Sequence, residues 1–238
     1  MLPLKNRTIL VVDDEPLIRE LVCQALSARG ATTVAAGNGL EGFKVYETMA
    51  LNVILSDVRM PGGDGTELLR KIRNCSAEKP VFCLMSGFSD VSLDSLYEMG
   101  ADAVYSKPFS MKKVITGITN LMLPLEDRWQ EEPIPDAVPV KKTLITNSCL
   151  GRGGVFIPGL FDLETDTPVQ FHLTFNEQNS APLEGTGMVR WLRSKGEYLA
   201  AGIGVEILTV REPGKSELIK RIREMGPKAF IPQGGKAG

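Results

Sequence analysis

Four short apolar runs each end in side chains that can do chemistry. Asp13 and Asp14 follow ILVV, Asp57 follows VILS, Ser86 follows VFCLM, and Lys107 follows AVYS. Three carboxylates gathered at one place repel one another unless a cation joins them. Oxygen-only ligands in such a cluster suit Mg²⁺, which keeps several waters and shares itself with phosphate groups. A lysine and a hydroxyl beside that cation would hold the remaining oxygens of a phosphoryl group. The chemistry implied is phosphoryl transfer to a carboxylate, where positioning and charge neutralisation supply most of the catalysis. Each residue alone has a plainer explanation. An Asp pair before a helix is a cap, Ser86-Gly87 a turn and Lys107-Pro108 a loop. The argument for a site is that all five positions fall on successive strand ends.

The elements that would place them there read as strand and helix in alternation. Thr8–Val12 is a β-rich run. Asp14-Glu15-Pro16 opens a helix in which Leu17, Ile18, Leu21, Val22, Ala25 and Leu26 recur at helical spacing until Gly30. Strands follow at Thr32–Ala35, Val53–Ser56, Val81–Met85 and Ala103–Ser106. Helices follow at Leu40–Ala50, Thr66–Arg73, Val91–Met99 and Met111–Leu123, the last capped by Ser110. Five strands alternating with five helices predict a doubly wound (βα)5 fold, a parallel sheet covered on both faces. Ligands of such sheets sit beyond the carboxyl ends of the strands.

Residues 7–123 resemble the receiver domain of bacterial response regulators. The matching motifs are ILVVDDEP (9–16), SDVRMPGGDG (56–65), MSG (85–87) and YSKPF (105–109). The resemblance implies that Asp57 accepts a phosphoryl group from a histidine kinase or phosphotransfer protein. It implies that Asp13, Asp14, Asp57 and the Arg59 carbonyl bind Mg²⁺, that Ser86 and Lys107 contact the phosphoryl oxygens, and that Ser86 and Tyr105 form the switch. The implied chemistry is that of a phosphoacceptor, with Mg²⁺-dependent self-phosphorylation from small donors and autodephosphorylation, and not that of an enzyme. Gly63 departs from the methionine common in the family, which removes no catalytic group.

Composition sets outer bounds. The 238 residues carry 27 basic and 29 acidic side chains, a formal net charge of −2, with 43% hydrophobic and 24% charged residues. That excludes disorder, collagen and a small disulfide scaffold. No apolar run approaches the roughly 18 residues of a membrane helix, and MLPLKNR lacks a signal-peptide core. The four cysteines (Cys23, Cys75, Cys83, Cys149) form no CxxC pair, three of them lying in apolar segments, which reads as reduced, buried thiols in a cytoplasmic protein. One histidine excludes a His-rich metal site.

Residues 124–140, PLEDRWQEEPIPDAVPV, hold one basic and five acidic groups and four prolines. This reads as an extended, protease-sensitive linker between two separately folding halves, 1–123 and 141–238. Beyond it the pattern changes to short strands at Val155–Ile157, Phe171–Phe175, Met188–Leu192 and Tyr198–Leu208, the last two joined by Ser194-Lys195-Gly196 as a hairpin. Ser216 caps a helix with Leu218, Ile219, Ile222 and Met225 on one side, ended by Gly226-Pro227, and IPQGGKAG reads as a frayed tail. Antiparallel strands followed by one helix predict a small barrel with a helix against it.

This order resembles a PilZ domain over about residues 140–226. The fragments are GRGGVFI (151–157), Gly187-Met188-Val189-Arg190-Trp191 and GIGVEIL (202–208). Many members bind cyclic di-GMP through an RxxxR segment and a (D/N)xSxxG segment, because guanidinium forks clamp phosphates. Here the only basic residues between 124 and 150 are Arg128, Lys141 and Lys142, and Cys149 and Gly151 replace the expected Asp/Asn and Ser. Lys141, Lys142 and Arg152 are the candidate nucleotide or partner surface. The reading is a two-component response regulator with a degenerate PilZ-like output acting by protein contact, in motility or surface behaviour. The alternative makes the PilZ domain a cyclic di-GMP receptor. A DNA-binding output is disfavoured, since the one good helix, SELIKRIREM, lacks a helix-turn-helix partner.

Overall fold

A computed structural model describes residues 3–87, 91–130, 132–177, 179–194, 200–225 and 229–232, with backbone alone for 142–144 and 147. The chain divides into two compact units. The first comprises Met1–Ser92 and Met99–Met122, and the second Leu93–Glu98 and Leu123–Gly238.

In the first unit, β1 (Thr8–Val12), β2 (Thr32–Ala36), β3 (Val53–Asp57), β4 (Val81–Ser86) and β5 (Ala103–Ser106) form a parallel sheet in the order β2-β1-β3-β4-β5. The connecting helices are α1 (Pro16–Ser27), α2 (Gly39–Thr48) and α3 (Gly65–Cys75), and the helix after β5 spans Met111–Leu121. β1 and β3 are buried on both faces, from Ile9 to Val12 and from Val53 to Leu55. This is why their sequences are continuous apolar runs rather than alternating ones. The parallel α/β reading holds, with boundaries shifted by a residue or two. Asp57 and Ser86 close β3 and β4 rather than follow them. Ser110 sits at the expected cap position, yet its hydroxyl makes no capping bond.

One element is placed differently. The helix expected over Val91–Met99 is the six-residue α4 (Leu93–Glu98), and it groups with the second unit. There Asp94 faces Arg193 at 3.4 Å, with both side chains largely buried. With α4 so placed, the helix at Met111–Leu121 is α5.

The second unit contains β6 (Val138–Ile145), β7 (Gly154–Pro158), β8 (Pro168–Phe175), β9 (Leu183–Arg193), β10 (Gly202–Val210) and α6 (Gly214–Met225). The sheet order is β6-β8-β9-β10-β7, and β6 pairs with β8 in parallel whereas the other pairs are antiparallel. Among the described residues β6 and β7 do not pair. The expected antiparallel barrel is therefore a mixed, open five-stranded sheet with a helix. Its core includes Phe156 stacked on Trp191, with centroids 5.6 Å apart, and the Arg193 guanidinium over both rings.

Residues 124–140 also differ from an extended connector. Leu125–Asp127 form a turn of 3₁₀ helix, Trp129 is 8% exposed and its carbonyl accepts the Val210 amide, and 138–140 already belong to β6. Pro139 is tolerated in a strand because β6 is an edge and need not donate on its outer side. α6 begins at Gly214, where the Glu212 carboxylate accepts the Ser216 amide, so Ser216 is inside the helix rather than its cap. Phe230 and Ile231 are buried, and Phe230 O accepts from Gly153, so the expected tail is anchored at its start. Gly226-Pro227, Lys195-Gly196 of the hairpin and 233–238 lie outside the described residues. Cys83 and Cys149 are buried, but Cys75 is exposed. No described helix is long and apolar enough to cross a membrane.

Candidate functional site

The carboxyl ends of β1, β3 and β5 bring three charged groups together. Asp13 follows β1 directly and is fully buried. Its Oδ1 accepts the Glu15 amide at 2.9 Å, and its main-chain oxygen accepts from Arg19. Asp57 ends β3 with 9% exposure. Lys107 follows β5, held by its amide donating to Ser86 O at 2.7 Å. Its Nζ lies 2.7 Å from Asp57 Oδ1 and 3.3 Å from Asp13 Oδ2. One ammonium thus faces two carboxylates, the arrangement that their mutual repulsion requires.

The charges set one another's protonation. Burial pushes the Asp57 carboxyl above the ordinary range and Asp13 adds to this, while Lys107 and the Arg59 amide pull the other way without fully compensating. Burial works against the Lys107 ammonium, but Asp57 and Asp13 outweigh it and hold its pKa above the ordinary value.

The loop after β3 is tied down closely. Val58 N donates to Met85 O, and Gly65 N donates back to Val58 O, both at 3.0 Å. A Cβ on Gly65 would stand 1.9 Å from Asp57 O, so only glycine lets α3 begin this near the strand. Asp64 accepts from Met60 N at 3.2 Å and from the Arg59 guanidinium at 2.9 Å. Gly63, the departure noted above, accepts the Gly39 amide at 2.9 Å, which fastens the loop to the start of α2. Ser56, passed over in the sequence, is fully buried and donates to Asp57 O at 2.9 Å. A hydroxyl inside the otherwise apolar run VILSD was the available signal.

Not every expected residue joins this group. Asp14 is exposed beside it. Ser86 Oγ donates to Gly87 O at 2.8 Å. Tyr105 and Ser86 occupy different register positions. Met85 pairs with Tyr105 and Ser86 with Ser106, and neighbouring residues of a strand point to opposite faces. Tyr105 turns to α5, where its hydroxyl lies 2.3 Å from where a Cβ on Gly117 would be. Lys141 is in β6 and Arg152 precedes β7, the two edge strands of the second sheet, so the structure does not gather them. The Lys142 side chain lies outside the described residues.

The donor set suits a hard cation. Asp13 and Asp57 offer only oxygen, and both already face a common positive charge. Among the described residues no three His, Cys, Asp or Glu side chains converge to hold a metal by themselves. Mg²⁺ keeps waters and binds through one or two carboxylates, which Asp13 and Asp57 would supply.

Comparison with known proteins addresses the first unit. Residues 9–119 match the family model of the response regulator receiver domain. The transcriptional regulatory protein TrcR of Mycobacterium tuberculosis is 30% identical over 114 residues, 48% of this chain and 44% of that protein. The DNA-binding transcriptional regulator NtrC of Escherichia coli K12 is 35% identical over 108 residues, 45% of this chain and 23% of that protein. The matched stretch therefore spans less than half of either relative. Among solved structures, the response regulator TrrA of Thermotoga maritima in complex with Mg²⁺ and BeF is 30% identical, with a TM-score of 0.45 over 48% of this chain and 98% of that one.

Proposed function

We propose, from residues 9–119 being a response regulator receiver domain of a two-component system, that Asp57 is the phosphoacceptor and that its phosphorylation controls the second unit. The observation that carries this is Lys107 Nζ lying within 3.3 Å of both Asp57 and Asp13 at the strand ends. An Asp57 carboxylate oxygen attacks the phosphorus of a kinase phosphohistidine. The O–P bond forms, the P–N bond breaks, and the imidazole leaves as it takes up a proton. Lys107 favours the ionised, nucleophilic form of Asp57 and neutralises charge gathering on the phosphoryl oxygens. Ser86, whose hydroxyl now rests on Gly87 O, is the second contact to those oxygens. Asp13, Asp57 and the Arg59 carbonyl would hold Mg²⁺, with Asp14 at the mouth. When bound, the ion supplies positive charge that offsets the approach of an anionic donor to an anionic acceptor.

The second unit is the output in this reading, a degenerate PilZ-like module that works by protein contact. Support comes from GRGGVFI leading into β7, Gly187–Trp191 within β9, GIGVEIL within β10 and the single helix after them. The paired arginines that would clamp a cyclic dinucleotide are absent from 124–150. A DNA-reading role for α6 is disfavoured because Arg221 is 4% exposed and bound to Glu177, Glu217 and Ser180.

The test is incubation of the full chain with acetyl phosphate and Mg²⁺, followed by phosphate-affinity electrophoresis. The expected result is a shifted band that chelation abolishes and that Asp57→Asn lacks. A shifted band in the Asp57→Asn protein would overturn the assignment.

A further inference from the structure

The second unit has a cleft of about 450 Å³ that the phosphorylation chemistry does not use. That is the size range of small-molecule sites. One wall is apolar, made by Pro133, Ile134 and Pro135 before β6 and by Phe171 of β8. Two cations, Lys141 and Arg211, stand at it. Neither has an acidic partner among the described residues. The nearby Glu184 carboxylate is turned to His172 instead, with Oε1 2.7 Å from Nδ1.

Two buried hydroxyls, Thr186 and Thr209, complete the lining, with 4% and 7% exposure. They meet at a break in the β9–β10 register. There Thr209 Oγ1 accepts the Thr186 amide at 2.9 Å, and the two Oγ1 atoms lie 3.0 Å apart. Hydrogen accounting gives the consequence. The pair holds two hydroxyl hydrogens, and one of them makes the bond between the oxygens. The second has no acceptor among the described residues. A buried donor without an acceptor is costly, and native proteins rarely leave one so. An acceptor oxygen arriving in the cleft would take it.

We propose that this cleft binds a small organic anion, a carboxylate or phosphate monoester carried on an apolar or aromatic body. One oxygen of the anion accepts from the threonine pair, Lys141 and Arg211 meet its charge, and its body lies against the prolines and Phe171. A bare inorganic anion leaves the apolar wall uncovered, and a neutral apolar molecule leaves the hydroxyl hydrogen and both cations unanswered.

The test uses the full chain labelled with ¹⁵N, titrated separately with adenosine 5′-monophosphate, benzoate and inorganic phosphate while amide shifts are followed. The expected result is saturable shifts at the Thr186 and Thr209 amides with at least one of the two organic anions. Lys141→Ala or Arg211→Ala, each removing one charge-assisted contact from an exposed position, should weaken that binding about tenfold or more. Lys220→Ala, on the exposed side of α6 and outside the cleft lining, should leave it unchanged. No saturable response to either organic anion would overturn the proposal. So would inorganic phosphate binding as tightly as they do, or affinities unaltered in both cation variants.

Discussion

Removing Arg73 should destabilise the first unit by about 3–4 kcal/mol. Arg73 reaches from α3 to the beginning of β5. Its Nη2 lies 2.8 Å from Asp102 Oδ2, its Nε donates to Gly100 O at 2.8 Å and its Nη1 to Pro80 O at 3.0 Å. The two side chains are 8% and 1% exposed, and Asp102 also accepts the Phe82 amide at 2.8 Å. Breaking a buried pair by deleting one partner costs about 3–5 kcal/mol, because a charge is left buried without compensation. Arg73→Ala should therefore move the urea midpoint of the first unit down by about 2 M. Both tryptophans, Trp129 and Trp191, belong to the second unit, so fluorescence follows that unit while circular dichroism follows both. The double variant Arg73→Met with Asp102→Asn should recover most of the loss. A loss below about 1 kcal/mol, the scale of an exposed pair, would refute the reasoning.

Asp57→Asn should be more stable than the natural protein at pH 7–8, and the advantage should shrink in acid. A carboxyl whose folded pKa is raised contributes stability below its unfolded value, near 4, and loses it as pH rises through the folded value. Thermal melts across pH 5–8 check the trend. Lys107→Ala should slow labelling by acetyl phosphate about tenfold or more, through loss of a charge-assisted contact to Asp57, measured as an initial rate. Gly117→Ala should destabilise by about 1–3 kcal/mol despite alanine's better helix propensity, since its Cβ would meet the Tyr105 hydroxyl. Adding Tyr105→Phe removes that oxygen and should restore stability in chemical denaturation.

The first unit was legible because a parallel sheet buried on both faces leaves continuous apolar runs, and because each run ended in a polar residue at the same sheet edge. Asp13, Asp57 and Lys107 needed only strand order to be placed together. Tyr105 pairs in register with Met85 whereas Ser86 pairs with Ser106, and a motif match carries no information on which face is which. β6 was hidden by Pro139 and by acidic neighbours that look like a connector, although an edge strand accommodates both. The barrel was expected because local turns specify hairpins. The β6–β8 pairing joins strands separated by β7, and nothing local encodes it. α4 was recognised as a helix, but six residues with Leu96 and Tyr97 buried do not announce which unit they pack in.

The central claim is that Asp57 carries the phosphoryl group, and the most direct measurement is chemical mapping of the acyl phosphate. The full chain is phosphorylated with acetyl phosphate and Mg²⁺ and reduced with borohydride, which converts an aspartyl phosphate to homoserine. Peptide mass spectrometry then locates the product. The account predicts homoserine at position 57 alone, with none at 13, 14 or 64. Homoserine at another aspartate with position 57 intact would contradict it.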